Sequence, residues 1–192
     1  MKSHNSLSFS FMCPEDAEAL SALAQRIWRA YYPALISVDQ IEYMLKRNYT
    51  VEMLRQNLAD GQKVMLARQE GVIKGFMGLG ELATMKHPLQ RGERTGEGCY
   101  YLHRCYLAPE LHGKGAAQAL FDATLKQMPQ VTLIRLQVHR RNVRAQAFYK
   151  RQGFRVVLEH DFDLGTGFLM QDYVMQWEKS YSCHASESWH PA

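Results

Sequence analysis

The residues best suited to chemistry lie between Leu107 and Ala117, in the run Leu-Ala-Pro-Glu-Leu-His-Gly-Lys-Gly-Ala-Ala. Their types describe a strand end, a glycine-spaced turn and the start of a helix rich in small residues. Gly113 and Gly115 let the backbone turn tightly, so that the amides of 113 to 117 can point outward together at the positive end of a helix dipole. Amides arranged in this way seat a phosphate or pyrophosphate. His112 and Lys114 add side-chain donors, and Lys114 a fixed positive charge. Taken alone the turn is ambiguous. It lacks the Gly-Lys-Ser/Thr ending of a P-loop, and Gln118 stands where G-x-G-x-x-G needs its third glycine. A Gly-x-Gly turn also serves as plain punctuation before a helix.

A second segment, Asn142-Val-Arg-Ala-Gln-Ala-Phe-Tyr-Lys-Arg-Gln-Gly-Phe154, sharpens the reading. Asn142 suits an N-cap and Gly153 the position just past a helix C-terminus, which predicts one short helix between them. Ala145, Phe148, Tyr149 and Gln152 recur at spacings of three and four and share a face. The preceding Thr132-Leu-Ile-Arg-Leu-Gln-Val138 is β-rich and apolar enough for a central strand. The order is therefore strand, phosphate turn, helix, strand, helix. A phosphate-bearing cofactor would lie across the start of the first helix, with Tyr149 reaching it from the second.

Together these motifs resemble the GNAT superfamily of acyl-coenzyme A-dependent N-acetyltransferases. Its pyrophosphate signature, Arg/Gln-x-x-Gly-x-Gly/Ala, is matched by His112, Gly115 and Ala117, with histidine in an unusual place. The later pattern, Asn-x-x-Ala-x-x-Phe-Tyr-x-x-x-Gly-Phe, is matched by Asn142, Ala145, Phe148, Tyr149, Gly153 and Phe154. The resemblance spans residues 9 to 178. It implies acetyl-CoA as cosubstrate, with Gly113, Lys114 and Ala116 joining the signature residues around the pyrophosphate. Asn142, Arg144 and Lys150 would lie alongside the cofactor, the last two toward its 3′-phosphate. It also implies that the strands ending at Leu107 and starting near Leu133 run parallel and splay apart, the cofactor entering from one side and an acceptor amine from the other. The thioester carbonyl would rest on backbone groups near Cys105, Tyr106 and Leu107. Tyr149 would protonate the departing thiolate, a task open to a phenol of ordinary pKa about 10. Packing beside Phe148 or against the pantetheine arm is its other reading.

Acetyl transfer to an amine needs a neutral nucleophile, a stabilised oxyanion and a protonated leaving group. Period two along 99 to 107 puts Cys99, Tyr101, His103, Cys105 and Leu107 on one face, unless a β-bulge reverses the parity. Diamine acetyltransferases, which this segment resembles, carry a glutamate at the place of His103 and use it as a base through water. Histidine titrates near neutrality and can do the same work, or it can be a satisfied structural residue. Glu81, Glu97 and Asp172 compete for the role. Cys105 reads as a small buried apolar residue, since no Cys-His-Asp constellation accompanies it, and a direct ternary mechanism is expected. Trp28, Tyr31, Tyr32, Tyr43 and Tyr49 either line the acceptor side, where aromatic faces attract an ammonium, or pack helices onto a sheet. Glu42 and Glu52 could recognise a cationic amine or simply occupy solvated faces. Arg140, Arg141, Arg144, Lys150 and Arg151 form a basic cluster that either meets the nucleotide or is an exposed helix face.

These residues need a scaffold. Residues 8 to 12 alternate as an opening strand, and Pro14-Glu-Asp16 supplies a first turn for a helix to Tyr31. Ser37-x-x-Gln40 is a capping box for a second helix through Lys46, and Thr50 caps a third ending near Gly61. Strands over 63 to 69 and 72 to 82 are joined by Glu70-Gly71, a hairpin turn. A polar, Gly-rich loop over 86 to 98 reads as mobile, and strands near 155 to 161 and 168 to 177 complete the set. The expected fold is α/β: a mixed, mostly antiparallel sheet of the GNAT kind, with a splayed parallel pair and helices on both faces. Residues 1–179 form one domain and 180–192 a loose C-terminal tail.

With 192 residues, 46% hydrophobic and 22% charged, the chain has the composition of a globular protein with one sizeable core. A net charge of +4 suits an anionic cofactor and makes nucleic acid an unlikely partner. No run has the length of a membrane span and no signal peptide is evident. Cys13, Cys99, Cys105 and Cys183 show no metal-ligand spacing; no metal is expected, and reduced thiols in a cytoplasm are the simplest reading. The expected activity is acetyl transfer from acetyl-CoA to a primary amine of a small molecule, with a homodimer reasonable for the family. The alternatives are acetylation of a protein or aminoacyl-tRNA amine, and a noncatalytic CoA-binding module.

Overall fold

The computed structural model describes residues 6–84, 96–164 and 167–180, so most of the predicted mobile loop and nearly all of the predicted tail, with Cys183, lie outside the described residues. The elements, in order, are β1 (Leu7–Phe11), α1 (Ala17–Tyr31), α2 (Val38–Asn48), α3 (Val51–Ala59), β2 (Lys63–Gln69), β3 (Val72–Glu81), β4 (Cys99–Leu107), α4 (Ala116–Gln127), β5 (Leu133–His139), α5 (Val143–Arg151), β6 (Arg155–Asp163) and β7 (Leu169–Glu178). Their seven strands form one sheet in the order β1-β2-β3-β4-β5-β7-β6, antiparallel throughout except for β4 and β5.

Local signals account for most of these boundaries. Pro14–Asp16 forms a 3-10 turn that leads into α1, so the helix proper starts at Ala17. Along α1 the residues Leu20, Leu23, Ala24, Ile27 and Trp28 recur at helical spacing and are all buried. Ser37 and Thr50 cap α2 and α3, their hydroxyls accepting from the amides of Gln40 and Met53. The reciprocal half of the predicted capping box does not form. The Gln40 side-chain amide instead points across to β7, toward the Leu169 carbonyl and the Met170 sulfur. Glu70 and Gly71 both have positive φ, 51° and 78°, the signature of the tight turn that matches hairpin twist.

The sheet is covered on both faces, because alternate residues of its strands are apolar on both sides. Leu66 and Phe76 pack with Leu20, Ile27, Ile41 and Leu54 of α1–α3. Met65, Met77, Ile134 and Met175 pack with Leu120 and Phe121 of α4 and Tyr149 of α5 on the opposite face. Truncating a core ring such as fully buried Phe76 to alanine would cost about 3–5 kcal/mol.

Two irregularities shape the centre of the sheet. The parallel ladder runs only from Cys99↔Leu133 to Leu102↔Leu136, while β4 stays paired with β3 as far as Leu107. Beyond Leu102 the two strands part. The β3–β4 register also shifts, from Leu79↔Leu102 to Gly78↔Arg104, leaving His103 as the extra residue of a β-bulge. The single face expected for β4 is therefore split. Cys99 and Tyr101 belong to a small cluster with Leu133 and Val174, whereas Cys105 and Leu107 face the α4–α5 cluster.

Candidate active site

Where β4 and β5 part, a cavity of about 710 Å³ opens, and its walls come from both faces of the sheet. Leu107, His112, Ala117, Arg144, Phe148 and Tyr149 line it on the α4–α5 side; Trp28, Tyr32, Tyr49, Tyr106, Arg104 and Asp172 line it on the α1–α2 side. The splay gives the cavity a passage through the sheet, since backbone groups of β4 that would otherwise bond to β5 after Leu102 have no strand partner there.

On the first side, Gly113 and Gly115 have φ of 74° and 76°, and Gly115 is the N-cap of α4. Nothing lies within 4 Å of a Cβ built at either, so it is the left-handed backbone of the tight turn that requires glycine, and the space around both is open. The amides of Gly113, Lys114 and Gly115 donate to no backbone carbonyl among the described residues. Those of Ala116 and Ala117 lie in the first turn of α4, which has no carbonyl to offer them. Five adjacent amides at the head of α4 thus have no backbone acceptor among the described residues, an arrangement that could hold a pyrophosphate.

His112 plays a part the sequence did not disclose. Its Nε2 lies 3.0 Å from the carbonyl of Leu107, so the imidazole braces the turn onto the end of β4. Burial and then Arg144 hold its pKa below the ordinary histidine value, so the ring is a neutral donor. Lys114, Arg144 and Lys150 are exposed. Of the three, Arg144 borders the cavity, whereas Lys114 and Lys150 do not. Asn142 borders it too, but its side-chain oxygen is occupied, accepting from the Ala145 amide at 3.1 Å and the Tyr31 hydroxyl at 2.8 Å. Arg140 is paired with Glu159 and Asp161, and Arg141 donates to the carbonyls of Ala34 and Leu35, which removes both from the basic cluster proposed for the nucleotide.

Tyr149 is 8% exposed and lies beside the Cys105 thiol. Burial first, and then the neighbouring Cys105, push the phenol well above its usual value, so it keeps its proton over the whole working range. Burial pushes the Cys105 thiol up to about 12, which leaves it protonated and a poor nucleophile. Tyr106 turns the other way, its hydroxyl 3.1 Å from that of Tyr32.

The second side is aromatic. Trp28 stacks on Tyr32 with centroids 4.1 Å apart, and Tyr49 and Tyr106 close around the pair. Tyr31 also lines the cavity, whereas Tyr43 packs against Phe168 outside it. Glu42 is ion-paired with Arg29 on the surface, and Glu81, Glu97 and Glu52 do not border the cavity. Two buried charged residues on this side were either missed or underweighted in the sequence. Arg104 lies 5.4 Å from the Tyr49 ring centre with Nη1 unpartnered. Asp172, 4% exposed, has an unpartnered Oδ1, and burial pushes its pKa up to about 7 against the pull of Arg140.

His103 does border the cavity, but not as a base poised near neutrality. Its imidazole packs edge-on against Tyr101 and sits over Gly80, where a Cβ would approach Nε2 to 2.7 Å. Burial, reinforced by the Arg104 charge, lowers its pKa to about 4. The expectation that histidine here titrates near pH 7 is therefore corrected.

The chain matches the Acetyltransferase (GNAT) family over residues 20–154. It is 31% identical over 163 residues to an N-acetyltransferase of Mycobacterium tuberculosis, covering 83% of this chain and 96% of the relative. A spermidine N(1)-acetyltransferase of Thermoplasma acidophilum is 27% identical over 164 residues, 82% of this chain and 91% of that one. Among solved structures, the PaiA N-acetyltransferase of Thermoplasma acidophilum in complex with coenzyme A is similar in fold, with a TM-score of 0.71 and 24% identity, covering 91% of this chain and 99% of that one. With the splayed β4–β5 pair, the glycine turn and the Tyr149 helix, these matches establish that the chain belongs to the acetyltransferase (GNAT) family.

Proposed function

We propose that the protein transfers an acetyl group from acetyl-CoA to a primary amine of a small molecule, by direct attack within a ternary complex. The observation that carries this reading is the cavity through the splay: the edge of a glycine turn (His112, Ala117) and a protonated phenol on one side of the sheet, an aromatic wall and a carboxylate with an unpartnered oxygen on the other. The amides of 113 to 117 hold the pyrophosphate, and Arg144 at the rim adds a cation. Free backbone groups of β4 after Leu102 hold the thioester carbonyl and polarise it as negative charge develops. Tyr149 donates its hydroxyl hydrogen to the departing sulfur. Acetyl-CoA supplies the activated acyl group; the chain supplies position and protons. Direct attack is favoured over a covalent enzyme intermediate because the only thiol bordering the cavity among the described residues, Cys105, is held in its unreactive protonated form.

A small amine is favoured as acceptor because the second side is a concave aromatic pocket in which an ammonium is attracted by ring faces. The spermidine acetyltransferase relative supports the same class. The test is incubation with acetyl-CoA and spermidine, tyramine, lysine or a short peptide with a free N-terminus, following released thiol and the mass of the product. Acetylation of at least one small amine is expected. Turnover of the peptide alone would move the acceptor to proteins, and tight CoA binding with no turnover would sink the catalytic reading.

A further inference from the structure

Asp172 is poorly solvated for a carboxylate. It is 96% buried by its 4% exposure, and it borders the cavity with Oδ1 bonded to nothing. A buried acid with a free oxygen destabilises the fold unless a ligand completes its shell. The sheet fixes its position: register pairs it with His139 of β5 and with His160 of the outermost strand, β6. Neither histidine is ion-paired to it. His139 turns its Nδ1 to the Arg141 amide at 3.1 Å, and His160 is exposed and packs edge-on to Phe162. Arg140 acts on Asp172 from the end of β5, but its guanidinium is engaged by Glu159 and Asp161, and Asp161 opposes its effect. From α2, Gln40 reaches Leu169 and Met170 beside it, and Arg47 borders the same cavity, as does Arg104 of β4, whose guanidinium lies over the Tyr49 ring and not in an ion pair with Asp172. Tyr32 and Tyr101 feel the Asp172 charge and, chiefly through burial, remain neutral phenols. No ion pair neutralises Asp172 among the described residues.

We infer that Asp172 is the acceptor-side carboxylate of the reaction: it binds the ammonium of the incoming primary amine and takes the proton the amine must lose before it attacks. The inference rests on the acetyl-transfer reading above and names the group that reading leaves open. A cation would complete the carboxylate's shell, and the rings of Tyr32 and Tyr101 line the same cavity. The proton balance closes. Asp172 takes one proton from R–NH3+, and R–NH2 adds to the thioester carbonyl. The carbon–nitrogen bond forms, the carbon–sulfur bond breaks, and the proton then shed by nitrogen reaches the sulfur through Tyr149, giving amide and free thiol. Asp172 afterwards returns its proton to solvent. Burial raises Asp172 to about 7, where it can accept from an ammonium and still be reset by water. His103, held near 4 and packed on Gly80, is the weaker acceptor.

The test compares the wild type with Asp172→Asn and Asp172→Glu in the presence of saturating acetyl-CoA, using spermidine, tyramine and lysine across a pH series. CoA affinity and melting temperature are measured beside the rates. In Asp172→Asn, kcat/KM at neutral pH is expected to fall on the order of 100-fold and to recover as pH approaches the amine's own pKa. CoA affinity should stay within about twofold, since the change lies across the sheet from the pyrophosphate seat. Asp172→Glu should restore part of the rate. Asp172→Asn within about threefold of wild type with an unchanged pH profile would overturn the inference, as would a parallel loss of CoA affinity and melting temperature. If the wild type acetylates none of these amines, the small-amine reading fails by itself. Calorimetric titration of spermidine and tyramine into the CoA-bound protein then decides the role of Asp172: binding lost in Asp172→Asn supports it, and equal binding or none in the wild type removes it.

Discussion

The Tyr101 hydroxyl donates to Gln137 Oε1 at 2.6 Å, joining β4 to β5 at the point where their ladder has just ended. Tyr101 is 7% exposed, so its hydroxyl depends on that acceptor. The pair holds the mouth of the splay at a fixed width from the acceptor side. Gln137→Met leaves a buried donor unsatisfied and should destabilise by about 1–3 kcal/mol, whereas Tyr101→Phe removes the donor itself and should cost about 1 kcal/mol. Denaturant melts of both single variants and the double variant test the pairing. Additive losses with no coupling would show that the bond contributes nothing.

Tyr149 faces the same opening from the other side of the sheet. If its proton serves the departing sulfur, Tyr149→Phe should lower kcat on the order of 100-fold while leaving CoA affinity within about threefold. The ring remains, so the packing against Phe148 and Phe154 is preserved. A loss of CoA affinity at unchanged kcat would instead assign Tyr149 to holding the pantetheine arm.

His103 gives a prediction with a definite sign. Its folded pKa is lowered to about 4 from the ordinary 6.5, so the unfolded chain takes up its proton first as pH falls. The native state therefore loses stability between about pH 6.5 and 4, by up to roughly 3 kcal/mol from this group. His103→Gln should flatten that acid limb of the stability curve. It should also leave the shape of the rate profile above about pH 6 unchanged, because a ring already neutral there has no titration to contribute. A rate-limiting ionisation near neutrality that vanishes in His103→Gln would restore His103 as the base.

Much of the architecture was legible because it is written in local rules. Glu70-Gly71 announced its hairpin, Thr50 and Asn142 their helices, and the spacing from Asn142 to Phe154 the helix that carries Tyr149. The parity of β4 was not legible beyond Tyr101. A bulge at His103 inserts one residue opposite β3, and no residue type at that point signals it; the consequence is that Arg104 and Tyr106, not Cys105 and Leu107, join the aromatic side. His112 matched the signature position of an arginine or glutamine, yet its bond to Leu107 depends on a turn whose path is set in three dimensions. Asp172 was one acid among several in the sequence. Its distinction is a lack of partners, which only packing reveals.

The glycine turn can be separated from ordinary backbone strain by a matched control. Gly115 and Gly61 both have left-handed φ, 76° and 90°, with open space where a Cβ would go. Alanine at either should cost about 1–2 kcal/mol of stability. Gly61 lies after α3, away from the cavity, and Gly61→Ala should leave CoA affinity unchanged. Gly115→Ala should weaken it by at least about tenfold, since alanine resists the left-handed backbone that sets the amides at the head of α4. Equal CoA affinities measured by calorimetry would move the pyrophosphate elsewhere.

Asp172 leads to an opposite and more unusual expectation, that removing a charge strengthens the fold. Its folded pKa is raised to about 7 from the ordinary 3.8, so between those values the native state binds more protons than the unfolded chain. Stability tied to this group is fully present below about pH 4 and is lost as pH rises through about 7, on the order of a few kcal/mol. Asp172→Asn keeps the shape and carries no charge. It should match the wild type at low pH and exceed it in melting temperature at about pH 8, while acetyl transfer falls. A residue needed only for structure would lose both together, and a surface acid would change neither. Gain of stability with loss of turnover is the pattern of a group held unsatisfied for a ligand, and melting curves at the two pH values, read beside the rates, distinguish the three cases.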